Sequence, residues 1–307
     1  MNALPSFTSA APTGAPSAIG QKAMLAGLSI TMWAGRKLDK KVTAEVNHAH
    51  GAAADAARVT KSLVSKQALA DILRISNAAR AVHYARTLPW ADSGARILCN
   101  AGFAAYADEL RKLEYEFRDA VDAFVSGYAD YVEAARIELN GMFRDDDYPP
   151  ASSIRARFRF ERSIWPMPSA ADFRVDMIEG EADRIRADIQ RQFDAAMRTA
   201  TRDVFERIQE TVGHMVEKLR AFVPHSGKKG DRAEGIFRDS LVENVRDLVK
   251  LMPSLNVTGD AMLDALAKRM ETLCRFDAED LRTDKQARQD TADAAAGILA
   301  DISDFLA

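Results

Sequence analysis

A chain of 307 residues, 47% apolar and 28% charged, has room for one large domain or two ordinary ones, and its Ala-rich, aromatic-poor composition reads as soluble and helix-dominated. The net charge of −3 excludes a global pull toward nucleic acid or membrane, although residues 1–100 carry 12 Lys/Arg against 5 Asp/Glu while residues 101–150 carry 5 against 12. Two cysteines, Cys99 and Cys274, without metal-like spacing fit a reducing cytoplasm, and no apolar run or leader-like start suggests a membrane span or secretory signal. Met1 to about Gly20, rich in Pro, Gly, Ala and Ser, reads as a mobile tail. Leu28 to Ala34 (LSITMWA), bounded by Gly27 and Gly35, predicts a strand. After the basic stretch Arg36, Lys37, Lys40 and Lys41, Thr43 is placed as the N-cap of a helix through Val46. A helical stretch is expected from about Ala52 to Arg86, broken near Ser65, which is a good cap for the segment carrying Leu69, Ile72 and Leu73.

Thr87-Leu88-Pro89-Trp90 stops that helix, because Pro89 biases Leu88 out of the α region, and Asp92, Ser93 and Gly94 complete a turn. A long apolar stripe then runs from Phe103 through Tyr106, Leu110, Phe117, Phe124 and Tyr131 to Met142. After Asp145-Asp146-Asp147-Tyr148-Pro149-Pro150, residues Phe158 to Ile164 alternate with period two and predict a strand closed by Trp165 and Pro166. Phe173 to Met177 is a further candidate strand, which with the others makes a small antiparallel sheet. The longest stripe follows: Ala182, Ile185, Ile189, Phe193, Met197, Ala200, Val204, Ile208, Val212, Met215, Leu219 and Phe222. Its step of about 3.64 residues is the period of a nearly straight α-helix, on the order of 60 Å long at 1.5 Å per residue. A stripe that long needs a partner of similar length, and the run from Phe103 is the natural one.

Pro224 closes the long helix, and the Gly/Lys/Ser-rich segment to about Arg232 reads as a flexible joint. Three shorter amphipathic helices are expected after it: Gly235 to Leu251, ended by Pro253; one capped by Thr258; and one opened by Asp277 and Asp280 and reaching Ile302. The predicted class is mainly α with a minor β component: an elongated antiparallel long-helix hairpin, packing helices and a small antiparallel sheet at one end. The expected organisation is a tail over 1–24, a hairpin core with its sheet over 25–223, a flexible loop over 224–232, and C-terminal helices over 233–307 packed on the core.

Few residues carry a chemical signature. His48 and His50, two apart, point to different helix faces and cannot chelate as an i, i+4 pair does, while His83, His214 and His225 have no sequence-local carboxylate or cysteine partner. Asp145 to Asp147 can hold a hard cation through carboxylate oxygens, but no ordered ligand spacing follows, so a solvated acidic loop is expected. Gly227-Lys228-Lys229-Gly230 lacks the earlier glycine and the following Ser/Thr of a phosphate loop. No catalytic residue, cofactor site or metal site is therefore assigned, and the chain is read as a non-enzyme.

Two surfaces read as binding candidates. Arg155, Arg157, Arg159 and Arg162, interleaved with Phe158 and Phe160 and followed by Trp165, combine cations with rings as single-strand binders do. Equally, the phenylalanines can face the core while the arginines face water or meet Asp145 to Asp147. Arg36, Lys37, Lys40 and Lys41, with Arg58, Lys61 and Lys66, form either a phosphate-tracking patch or a surface that docks on the acidic segment within the fold. The turn residues Pro89, Trp90, Asp92, Gly94 and Arg96 read as structural: Trp90 is a core anchor, and Asp92 and Arg96, four apart, are placed to pair.

Leu28 to Lys41 (LSITMWAGRKLDKK), Ala79-Arg80, the block Thr87-Leu88-Pro89-Trp90 with Asp92-x-Gly94-x-Arg96-Ile97-Leu98, Tyr148-Pro149, Phe158-x-Phe160 and Asp172-Phe173-Arg174 carry a family resemblance. From about residue 25 onward the chain resembles a domain-of-unknown-function family of tailed bacteriophages and bacterial integrative elements. The resemblance implies neighbours of two kinds, a MoxR-type or cobaltochelatase-like AAA+ ATPase and a von Willebrand factor A-domain protein, and it carries over no catalytic residue. The expected function is a non-enzymatic scaffold or adaptor of a phage or mobile genetic element, acting in the bacterial cytoplasm as an accessory to such an ATPase assembly. The alternative is a nucleic-acid-binding accessory in phage recombination or replication. Self-association is left open, and no membrane partner is expected.

Overall fold

The computed structural model describes residues 20–90, 94–168, 179–225 and 233–306. The expected strand at Phe173 to Met177, residues 1–19 of the N-terminal tail, Asp92 and the Gly227 to Gly230 segment lie outside these residues, while Ala23 and Met24, placed in the tail, belong to a strand. Of the described residues 68% are helical, with a small antiparallel sheet and one helix of about 40 residues, mainly α with minor β. In chain order the elements are β1 (Ala23–Thr31), β2 (Arg36–Leu38), α1 (Lys40–Ala49), β3 (Thr60–Ser62), α2 (Ala70–Arg86), β4 (Leu88–Pro89) and β5 (Arg96–Cys99). They continue with α3 (Asn100–Ser126), α4 (Tyr128–Leu139), α5 (Ala151–Ile154), β6 (Arg159–Pro166), α6 (Glu179–Ala221), α7 (Ser240–Leu255), α8 (Ala261–Leu273), α9 (Ala278–Thr283) and α10 (Lys285–Leu306). The main sheet has the order β4-β5-β1-β6, with Ala23 opposite Cys99 and Ala26 opposite Arg96; β2 and β3 form a separate antiparallel pair.

The chain divides into two compact units. One takes the chain up to Gly27, Arg86–Ala104 and Ile164–Ala307; the other takes Leu28–Ala85 and Ala105–Ser163. The expected single core over 25–223 is thus divided, and α6 belongs with the C-terminal helices.

In the first unit, every position of the long stripe from Ala182 to Phe222 is buried or half-buried, so the 3.64-residue step marks the inner face of α6. On the outer face, Arg184 pairs with Glu181, Arg186 with Asp183 and Arg202 with Glu206, contacts worth about 0.2–0.5 kcal/mol each that support so long a helix in water. The stripe is covered by α10 and α7, not by the run from Phe103. Matched stripe length does not select a partner. The helices that follow α6 supply Val245, Met252, Ala295, Ile298 and Ile302 to the same core as Val204, Ile208, Val212 and Met215.

Several boundaries in this unit also differ from expectation. Helix α7 starts at Ser240 and continues past Pro253 to Leu255, because the proline sits in the last turn, where only one backbone bond is lost, between the buried Met252 and Leu255. Asp260, not Thr258, caps α8, its carboxylate accepting from the Met262 N–H. The capping box of Asp277 and Asp280 forms, but the helix it opens ends at Thr283, and Asp284 caps α10 by accepting from the Gln286 and Ala287 N–H groups.

The second unit has an aromatic core in which Phe117, Phe124, Tyr128 and Phe158 pack with Ile72, Ile75 and Ile154. Here the stripe from Phe103 finds its cover, on α2 and the segment around Ile154 and Phe158, and the run is split at Gly127 into α3 and α4. Helix α1 is capped by Asp39 rather than Thr43; the Thr43 hydroxyl accepts from the Val59 N–H instead. Residues 52–59 are not helical. Gly51, at φ +61°, ends the preceding turn, and the Asn47 amide then holds the loop through the Ala54 and Ala57 carbonyls and the Ala57 N–H.

Candidate functional site

The second unit has a groove of about 760 Å³ between α3, the turn over residues 152–156 and β6. Its floor is Phe117, Val121, Phe158 and Phe160, with the Phe117 and Phe160 rings 5.6 Å apart. Arg111, Glu114, Tyr115 and Arg118 stand along one edge, at i, i+3, i+4 and i+7 on a single face of α3. Arg155 and Arg162 stand along the other. Each cation has a partner at the rim: Arg155 pairs with Asp122, Arg162 Nη2 lies 2.6 Å from Glu114 Oε2, Arg111 Nη1 lies 2.8 Å from Asp108 Oδ1, and the Arg118 guanidinium sits 4.9 Å from the centre of the Tyr115 ring. Exposed pairs of this kind are worth about 0–1 kcal/mol, so an incoming carboxylate exchanges with them at little cost.

Arg157 and Arg159 face elsewhere. The period-two alternation buries Phe158 and half-buries Phe160 while leaving Arg157 and Arg159 exposed. They line a second pocket of about 630 Å³ together with Thr31, Met32, Trp33 and Ser153. Thus the four arginines read as one surface are divided two and two, with their phenylalanines turned to the core. None of them meets Asp145 to Asp147. Trp165, grouped with them in the sequence, is 47% exposed, belongs to the other unit and lines neither cavity.

Of the N-terminal basic residues, Lys37 and Lys61 meet the acidic turn inside their own unit, whereas Arg58 and Lys66 are exposed. Lys61 is only 5% exposed; its ammonium lies 2.5 Å from Asp147 Oδ2 and 3.3 Å from Asp39 Oδ2, and donates to the Met142 carbonyl. Lys37 lies 2.7 Å from Asp147, and Lys41 is 3.9 Å from Glu45, while Arg36 and Lys40 are exposed. A continuous phosphate-tracking patch that includes Lys61 is therefore not formed. Burial pushes the Asp147 carboxyl up, but Lys37 and Lys61 outweigh it and hold its pKa below the usual carboxylate range. Asp39 is also held low, first by the Val42 N–H and then, against some desolvation, by Lys61.

Asp145 binds Arg136 at 2.8 Å, so the three aspartates do not converge on one point. Among the described residues no group of three or more His, Cys, Asp and Glu is placed to hold a metal ion. His48 and His50 are exposed, and His83 is buried with its Nδ1 2.8 Å from the Tyr106 hydroxyl. Burial pushes that phenol up to about 12. Cys99 and Cys274 are free thiols. No described helix is long and apolar enough to cross a membrane.

In the turn block, Arg96 donates through Nε to the Thr87 hydroxyl at 2.8 Å and through Nη2 to the Thr87 carbonyl at 3.1 Å, and Arg207 of α6 reaches the same carbonyl at 2.8 Å. Pro89 lies in β4 opposite Arg96, Gly94 adopts φ +84°, and Trp90 packs edge-on against Phe193 of α6, 5.8 Å between ring centres. These residues join the sheet to the long helix. The pairing expected between Asp92 and Arg96 falls outside the described residues.

The α3 edge of the groove, Arg111, Tyr115 and Arg118, was not read from the sequence as a site, although the i, i+4, i+7 spacing was there to find. Trp33 and Met32 were read only as strand. No protein-family model, no curated protein and no solved structure matches the chain.

Proposed function

We propose that this chain is a non-enzymatic adaptor of a phage or mobile genetic element, serving in the bacterial cytoplasm an assembly that contains a MoxR-type AAA+ ATPase and a von Willebrand factor A-domain protein. The observation that carries the reading is the groove of the second unit: an apolar floor of phenylalanines edged by four arginines and a single glutamate. Such a lining accepts a protein segment that buries one or two apolar side chains and presents carboxylates to the edges. Polyphosphate is less suited to it, because Asp108, Asp119 and Asp122 stand beside the same arginines on α3. The assignment of partners rests on the family resemblance.

The test is co-purification of the chain with the neighbouring ATPase, with and without ATP. Wild type is expected to hold the ATPase in at least one nucleotide state, and Arg155→Glu with Arg162→Glu to release it while far-UV circular dichroism stays unchanged. Failure of the wild type to form a complex in either state overturns the adaptor reading.

A further inference from the structure

The second pocket differs from the groove in one respect: neither Arg157 nor Arg159 forms an ion pair or a side-chain hydrogen bond with any described residue. Seven of the ten other arginines of this unit meet a neighbouring carboxylate or carbonyl, as Arg80 meets the Ile30 carbonyl and Arg136 meets Asp145, while the exposed Arg36, Arg58 and Arg144 line neither cavity. Two guanidinium groups that line one cavity with no counter-charge among the described residues repel each other, and an anion between them removes that repulsion. Arg157 ends a tight helical turn and Arg159 opens β6, with Phe158 extended between them, so the two lie about 6.6 Å apart in chain rise, a spacing that lets them address neighbouring anionic groups of one chain.

The rest of the pocket joins apolar and aromatic groups to two hydroxyls, those of Thr31 and Ser153. Trp33 is half-buried, and its indole is fixed from behind by Phe124 at 6.1 Å and Tyr128 at 5.9 Å, so one part of a rigid ring is presented beside the two cations. Met32 adds a polarisable apolar contact. The Ser153 hydroxyl donates to the Pro150 carbonyl, which leaves its lone pairs for a donor on the ligand. Repeating anions flanked by flat rings that carry hydrogen-bond donors describe a single-stranded nucleic acid: phosphates on Arg157 and Arg159, a base against Trp33.

We propose that the pocket formed by Trp33, Arg157 and Arg159 is a binding site for single-stranded nucleic acid. The site is separate from the groove assigned to the protein partner, so loss of the ATPase complex leaves this inference standing, and the converse also holds.

The experiment is fluorescence anisotropy of a labelled thymidine 20-mer titrated with the full chain at 50 and 200 mM salt. Wild type should bind saturably and weaken as salt rises. Arg157→Glu with Arg159→Glu, both on exposed positions, should lose at least tenfold in affinity, whereas Arg111→Glu, on the groove, should stay within twofold. Absence of binding at 50 mM salt, or equal affinity of the double variant, overturns the proposal. Full displacement by AMP at the same nucleotide concentration also overturns it, since the ligand would then be a free nucleotide rather than a strand.

Discussion

Lys61 Nζ lies 2.5 Å from Asp147 Oδ2, with both side chains more than nine-tenths buried, and this contact ties β3 to the acidic turn that follows α4. With Asp39 and Lys37 it forms a small ionic cluster, so the basic N-terminal region meets part of the acidic segment inside one unit. A buried ammonium with two carboxylates is costly to break from one side, because the groups left behind have no water to turn to.

That cluster predicts an acid-sensitive fold. A carboxyl whose pKa is lower in the folded chain than in the unfolded one stabilises the fold above its unfolded value, and the contribution disappears as pH falls through the folded value. For Asp39 and Asp147 the loss therefore begins near the ordinary value of 3.8 and completes below it. Urea midpoints followed by circular dichroism should fall as pH is lowered from 5 toward 2.5. Lys61→Met should lower the midpoint at pH 7 and flatten this acid limb, so that the two proteins converge at low pH; parallel curves would show that the cluster does not titrate as described.

The stripe of α6 predicts a sharp contrast between adjacent positions. Ile208 is fully buried among α7 and α10 side chains, and Ile208→Ala should cost about 3 kcal/mol. Gln209, one residue on, is exposed, and Gln209→Ala should stay within about 0.5 kcal/mol. Chemical denaturation of the two variants reads the difference.

Thr87 is fully buried and its hydroxyl accepts from Arg96 Nε. Thr87→Val keeps the shape and removes that acceptor from a charged donor, with an expected loss of about 2 kcal/mol. Thr87→Ser, which keeps the oxygen, should lose much less. A larger loss for Thr87→Ser than for Thr87→Val would mean that the methyl group, not the hydrogen bond, matters at this position.

How far the sequence showed all this varies by element. The α6 stripe was legible to the residue because a 3.64-residue step sustained over twelve positions has only one structural meaning. Its partner was not, because stripes of equal length on α3 and α6 say nothing about which neighbours cover them, and the backbone bridge between Val223 and Glu234 sets the chain that follows beside the end of α6. Helix starts were misread at Thr43 and Thr258, where an aspartate nearby outcompetes threonine as a cap. At the candidate sites, the alternation from Arg157 to Arg162 was visible, but which arginines are neutralised depends on Asp122 and Glu114, brought in by a helix about forty residues earlier.

Docking of an ATPase partner through the groove edged by Arg111, Arg118, Arg155 and Arg162 is the proposal that a purified system tests. Sedimentation velocity of the purified chain mixed with a purified MoxR-type ATPase from the same genome measures it directly. A faster boundary containing both chains is expected, lost on Arg155→Glu with Arg162→Glu and retained on Arg157→Glu with Arg159→Glu. Separate boundaries for the wild-type chain and the ATPase, with and without ATP, would contradict it.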